Sequence, residues 1–159
     1  MSKSIKLTVF SDTHGNTNAI RAALSEINGG DYFVFLGDGY RDLCRVQSEI
    51  TVPILAVRGN CDLFCPLPPR EILGTGECDI LLTHGHAYGV KQNLTALAAF
   101  AAQNGCAYAL YGHTHRALVT SLHGTVLINP GSASGEGGKA SYAVVEGSGV
   151  SFGAKIIYL

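Results

Sequence analysis

The chain reads as an α/β protein of four layers, an α/β/β/α sandwich in which two stacked mixed β-sheets are flanked by helices. Three observations predict this. Short apolar runs alternate with segments of helical spacing through the first two thirds of the chain. Strands joined by turns too short for a helix fill the last third. The 159 residues, 47% of them hydrophobic, suffice for one well-buried core but are too few for two ordinary domains, so a single domain spanning 1–159 is expected.

Lys6 to Phe10 is a first strand. Thr17 to Ile27 is a helix, because Ile20, Ala23, Leu24 and Ile27 recur at helical spacing before Asn28-Gly29-Gly30 stops it. Tyr32 to Leu36 is a second strand, Arg41 to Ile50 a short helix with Leu43, Cys44, Val46 and Ile50 inward, and Val52 to Val57 a third strand. Cys65-Pro66-Leu67-Pro68-Pro69 must be loop, since proline lacks the amide donor and fixes φ. Arg70 to Leu73 and Cys78 to Thr83 form a hairpin around Gly74-Thr75-Gly76. Lys91 to Gln103 is the clearest helix, with Leu94, Leu97, Ala98 and Ala101 on one face and Asn104-Gly105 closing it. Tyr108 to Tyr111 is a short strand. Ala117 to Leu122, Val126 to Asn129, Tyr142 to Val145 and Val150 to Tyr158 then make an antiparallel half.

Charged residues are only 14% and the formal net charge is −1, with no Lys/Arg run, so neither a dedicated nucleic-acid surface nor a membrane surface is expected. No stretch is long enough to cross a bilayer. The first residues lead into an apolar strand without a signal-peptide pattern. The five cysteines are odd in number and lack a Cys-x-x-Cys pair, which argues against a disulfide framework. A cytoplasmic location is expected.

Chemistry-bearing residues collect where apolar runs stop. The first run ends at Asp12-Thr13-His14, an oxygen and a nitrogen donor on the turn after a strand, where they can converge on one ion. Four further strand ends carry Gly37-Asp38, Gly59-Asn60, His84-Gly85-His86 and Gly112-His113-Thr114-His115. In this order and spacing the motifs resemble the calcineurin-like metallophosphoesterases, and within them a small, capless, single-domain phosphodiesterase branch that also includes the scaffold subunit of the retromer complex. The resemblance runs from about Phe10 to Ser132, where Asn129-Pro130-Gly131-Ser132 also resembles a segment of that branch.

The resemblance implies two divalent ions a few ångströms apart, bridged by Asp38. Asp12, His14 and His115 complete one ion, and Asn60, His84 and His113 the other. Two such ions clamp a phosphoryl oxygen and supply a bridging hydroxide for in-line attack on phosphorus. Four imidazole donors favour transition metals over Mg or Ca, with manganese the first choice and iron, nickel, cobalt or zinc as alternatives. Asp38, Asn60, Cys61 and His86 are the candidate catalytic residues, His86 facing substrate or supporting a ligand. Asn16, Asn60 and Arg58 are candidate phosphate contacts, although Asn16 serves equally well as the cap of the helix starting at Thr17. Asp62 either orients a ligand or stabilises its own turn.

The sequence departs from the family pattern at Cys61, where many members place a histidine that assists the leaving group. A thiol is a weak donor, so slow turnover and a preference for good leaving groups are expected. Few cations accompany the motifs, only Arg41, Arg58 and Arg116, which favours a small phosphodiester over a monoester. The alternatives are a non-catalytic protein-binding scaffold of the same fold, which the intact donor set disfavours, and a nuclease, which the weak charge balance disfavours. Homo-oligomerisation through the exposed strands of the final hairpin stays open.

Overall fold

Leu7 and Val9 of strand β1 (Ile5–Phe10) face one side of their sheet and Phe10 faces the other, and the same period-two split sorts the molecule into layers. The computed structural model describes residues 3–136 and 138–159. After β1 come α1 (Thr17–Ala22), α2 (Leu24–Asn28), β2 (Tyr32–Phe35), α3 (Tyr40–Val46) and β3 (Ile54–Ala56). The hairpin β4 (Arg70–Gly74) and β5 (Asp79–Thr83) precedes α4 (Thr95–Gln103) and β6 (Cys106–Leu110). β7 (Leu118–Leu122), β8 (Thr125–Asn129), β9 (Ser141–Ser148) and β10 (Ser151–Tyr158) complete the order.

One sheet runs β10-β9-β1-β2-β3 and the other β4-β5-β6-β8-β7. Both are mixed, since β1 pairs parallel with β2 and antiparallel with β9, while β5 pairs antiparallel with β4 and parallel with β6. Between the sheets Leu7, Val9, Val34 and Leu36 meet Ile80, Leu82, Leu110 and Ile128. On the outer face of the first sheet Phe10, Phe33 and Phe35 lie under Ile20, Ile27, Leu43 and Val46 of the first three helices. On the outer face of the second, Leu81, Ala109 and Leu127 lie under Leu97, Ala98 and Ala101 of α4. Each such side chain contributes about 1.5–3 kcal/mol on burial, so three filled layers can hold strand-end loops in costly backbone conformations. Among the described residues no helix is long and apolar enough to cross a membrane.

Three expectations are corrected. The helix over 17–27 is two helices, because at Ala23 the backbone tightens and its N–H bonds to the Ile20 carbonyl at 3.0 Å. The helix from Lys91 begins only at Thr95. Gly89 accepts from Gln92 and Asn93, and Asn93 accepts from the Thr95 N–H at 3.1 Å, so turn bonds occupy its expected first turn. The last third is not wholly antiparallel: β7 takes the sheet edge and the chain turns back at His123-Gly124, which puts β8 between β7 and β6 and parallel to β6. β9 then joins the first sheet.

The motifs follow the carboxyl ends of β1, β2, β3, β5 and β6, all at one end of the sandwich. Backbone bonds tie those loops across both sheets, Asp12 N–H to the Gly37 carbonyl, Gly112 N–H to that of His84, and Ala133 N–H to that of Ser11.

Candidate metal centre

Five residues at these strand ends, Asp12, His14, Asp38, His113 and His115, have φ between 41° and 71°, a region that side chains other than glycine rarely enter. Glycines beside them permit the crowding. A Cβ on Gly59 would lie 2.1 Å from Asp38 Oδ1, and one on Gly112 would lie 2.0 Å from Ser11 Oγ. Strain collected on the same residues that carry the donors marks a functional cluster.

Two groups of donors result. Asp12, His14 and His115 form one and Asp38, His84 and His113 the other, each with ligand atoms within 4.8 Å of one another. Asp12 Oδ1 lies 3.2 Å from His115 Nε2, 3.6 Å from His14 Nε2 and 3.8 Å from His84 Nε2. Asp38 Oδ2 lies 3.3 Å from His84 Nε2 and 3.9 Å from His14 Nε2, so it reaches a histidine of each group, as a bridging carboxylate must.

Supporting bonds orient each donor. Asp12 Oδ2 accepts the Ser11 hydroxyl at 2.5 Å and the His113 N–H at 3.1 Å. Its Oδ1 is buried and accepts no hydrogen bond. An ionised oxygen left this way is costly unless a cation meets it, and the surrounding imidazole and carboxylate donors suit a transition-metal ion. His84 Nδ1 lies 2.8 Å from the Leu36 carbonyl, which leaves Nε2 for the site. Cys61 N–H donates to Asp38 Oδ1 at 2.8 Å.

The electrostatics follow from this packing. Burial would raise the Asp38 carboxyl, but the hydrogen bond and charge of His84 and the Cys61 N–H hold it well below the usual range. Asp12 is lowered likewise, burial being outweighed by His14, His84 and Ser11. Burial opposes charge on His84, yet Asp38 and Asp12 raise it. His14 is raised by the Asp12 carboxylate 3.6 Å away. His113 is pushed down to about 4 by burial and by the charges of His84 and Lys91.

The other sequence candidates are placed as follows. Asn60 sits at an exposed turn with its amide donating to Cys61 Sγ at 3.6 Å. His86 opens a 3₁₀ turn, its ring 5.5 Å from that of His84 and 6.1 Å from that of His113. It is pushed down by burial and by the charges of His84 and Arg58. Asn16 caps α1, accepting the Ala19 N–H and donating to the Ala133 carbonyl at 2.9 Å, so both ends of its amide are engaged. The Cys61 thiol is raised by burial and the Asp38 charge, which keeps it protonated. Of the flanking cations, Arg41 lines the cleft that opens from His14, Asp38 and Cys61, and Arg45, which the motif reading passed over, joins it.

The bracing residues were less visible in the sequence. Asp62 accepts four backbone N–H groups. Asp42 accepts the Thr13 hydroxyl and the Gly15 N–H. Asn129 donates to the Gly112 carbonyl and Thr114 Oγ1, and Ser132 to the Asp12 carbonyl. The Asn-Pro-Gly-Ser segment was a signal without an assigned role. That role is to hold the two histidine-bearing loops.

A four-layer sandwich with two carboxylates and four imidazoles gathered at its strand ends defines the class of metal-dependent phosphoesterases. The chain belongs to the calcineurin-like phosphoesterase superfamily, whose domain model matches residues 5–149. It is 31% identical to phosphodiesterase YfcE of Escherichia coli (strain K12), over 89% of this chain and 88% of that protein. The crystal structure of a predicted phosphoesterase from Streptococcus pneumoniae matches with a TM-score of 0.83 at 28% identity, covering 98% of this chain and 90% of that one. Vps29 of Entamoeba histolytica shares the fold, with a TM-score of 0.74 at 20% identity over 98% of this chain and 99% of that one. The family depends on divalent metals, and the two donor groups are candidate sites for them.

Proposed function

We propose that this chain is a phosphodiesterase with a dinuclear metal centre, preferring manganese and acting in the cytoplasm on a small phosphodiester. The observation that carries the reading is the buried, unpartnered Asp12 Oδ1 facing three imidazoles, beside an Asp38 carboxylate that reaches both donor groups. Asp12, His14 and His115 would hold one ion and Asn60, His84 and His113 the other, with Asp38 shared. When bound, the ions supply Lewis acidity toward a phosphoryl oxygen and acidify the water that attacks phosphorus in line.

The chain's own groups do the rest. Cys61 N–H fixes Asp38 and its thiol stands on the cleft wall, where it would meet the leaving group. His86, whose ring lies 6.1 Å from that of His113, and Arg58 would contact the ester oxygens of a bound substrate. Arg41 and Arg45 are the arginines of a cleft that Asp38, Asp42 and Asp62 also line, and Arg45 is partly offset by Asp42 at 3.8 Å. That balance suits one negative charge better than two, hence a diester over a monoester. The intact donor set favours catalysis over a scaffold role, which the likeness to Vps29 raises only at the level of fold.

The test is hydrolysis of bis(p-nitrophenyl) phosphate by chelator-stripped protein, with and without Mn²⁺, alongside Asp38→Asn. Activity that returns with metal and is lost in the variant is expected. Inactivity with every divalent ion tried would transfer the argument to the scaffold reading.

A further inference from the structure

The cleft that opens from His14, Asp38 and Cys61 has a volume of about 690 Å³ and is also lined by Tyr40, Arg41, Leu63 and Phe64. That volume is in the range of small-molecule sites and exceeds what a phosphate group alone fills. Phe64 is fully exposed and Leu63 is 76% exposed. Phe64 also has φ of +55°, an unfavourable state for a bulky side chain. The pair is firmly held. Asp62 before it binds two loops through its carboxylate, Cys65 after it is buried, Leu67 packs beneath the first sheet's outer layer, and Pro68 accepts the Arg58 N–H at 2.9 Å. Two apolar side chains presented to water on a braced loop at the mouth of a charged cleft have the character of a binding rim.

We propose that Phe64 and Leu63 form a specificity subsite for an aromatic group on the ester arm of the substrate that does not leave. This rests on the phosphodiesterase reading and adds to it a substrate class, phosphodiesters bearing a flat ring. The ring would lie against Phe64 and Leu63, in the cleft that Tyr40 also lines, while the phosphate reaches the donor groups. A simple aryl group and a nucleobase share this chemistry.

The test compares three diesters with the same p-nitrophenyl leaving group and a methyl, phenyl or thymidine-5′ group on the remaining arm, using the full chain loaded with Mn²⁺. Phe64→Ala is expected to raise KM for the phenyl and thymidine esters, which carry a ring on the arm that stays, about 2- to 10-fold more than for the methyl ester, the worth of one ring contact. The ranking of the phenyl and thymidine esters tells an aryl source from a nucleoside one. Equal effects on all three, or none, overturn the proposal and assign the pair to a protein contact. A second readout is independent of turnover: the chain contains no tryptophan, so Phe64→Trp introduces a single indole whose emission can be excited apart from the tyrosines. Its emission should shift to shorter wavelength with phenyl methylphosphonate at concentrations where methyl methylphosphonate has no effect. A shift that fails to distinguish them overturns the subsite even in an active enzyme, whereas inactivity of the wild type on all three esters overturns the phosphodiesterase reading.

Discussion

The Asp62 carboxylate accepts the backbone N–H of Asp38 at 2.8 Å. It also accepts those of Gly59 at 2.8 Å, Gly39 at 2.9 Å and Tyr40 at 3.0 Å, which joins the loops after β2 and β3. Asp62→Asn keeps the volume but replaces one acceptor oxygen with a donor facing other donors. A buried N–H left without an acceptor costs about 1–3 kcal/mol. The variant is expected to lose about 4–10 °C in Tm and about 10- to 100-fold in Mn²⁺ affinity. Calorimetric titration giving wild-type affinity would refute this bracing role.

Metal should stabilise the fold as well as activate it, because it relieves the orphaned Asp12 oxygen. At 100 times Kd a ligand specific for the folded state adds about 2.7 kcal/mol, or about 5–10 °C for a chain of this size. Chelated protein is therefore expected to melt that much higher after Mn²⁺ is restored, with the increment sharply reduced in Asp38→Asn. Identical melting with and without metal would count against a site in either donor group.

Gly112→Ala tests the close approach of the two sheets at the site. The added Cβ would lie 2.0 Å from Ser11 Oγ and 2.8 Å from Asp12 Oδ2, so the Ser11 to Asp12 bond must break or the His113 loop must move. A drop in metal affinity larger than the drop in Tm would imply is expected. Wild-type metal content after gel filtration would exclude it.

The layers were legible because period-two apolarity at residues such as Leu7, Val9, Val34 and Leu36 is a local property of the chain. The donors were legible because each lies just beyond such a run. Bracing was not. Ser132 bonds to the Asp12 carbonyl across 120 positions and Asn129 to Gly112 across 17, and no spacing rule reports contacts that exist only after the sheets stack. The insertion of β8 between β6 and β7 was hidden for the same reason, since turn length alone does not say on which side the chain returns. Leu63 and Phe64 sit in no periodic pattern, and only their exposure beside the cleft gives them meaning.

Metal-free stability should depend on pH through Asp38 and His84. A lowered carboxyl contributes above its unfolded value near 3.9 and the contribution is lost as pH falls through the folded value. A raised imidazole contributes below its unfolded value near 6.5 and the contribution is lost as pH rises through the folded value. The pair is therefore worth most between those limits. His113, lowered to about 4, works oppositely, its contribution present above about 6.5 and lost as pH falls toward 4. In the presence of chelator, the Tm difference between wild type and His84→Asn is expected to shrink from pH 6 to pH 9. A constant difference would mean that His84 acts by packing alone.

Cys61 is the one position where the residue type works against the reaction. Its N–H to Asp38 is independent of the side chain, and the side chain is exposed on the cleft wall, so a larger group can be accommodated while that backbone bond is kept. Burial and the Asp38 charge hold the thiol protonated, yet a thiol donates weakly to a departing oxygen. A well-placed general acid is worth about 10²- to 10⁴-fold. Cys61→His is therefore expected to raise kcat/KM on a dialkyl phosphate, whose leaving alkoxide needs a proton, by about 10-fold or more. Bis(p-nitrophenyl) phosphate, whose leaving group departs unprotonated, should change little. Equal gains on both esters would point to an imidazole contact with phosphate, and no gain on either would show that the thiol does not limit the rate.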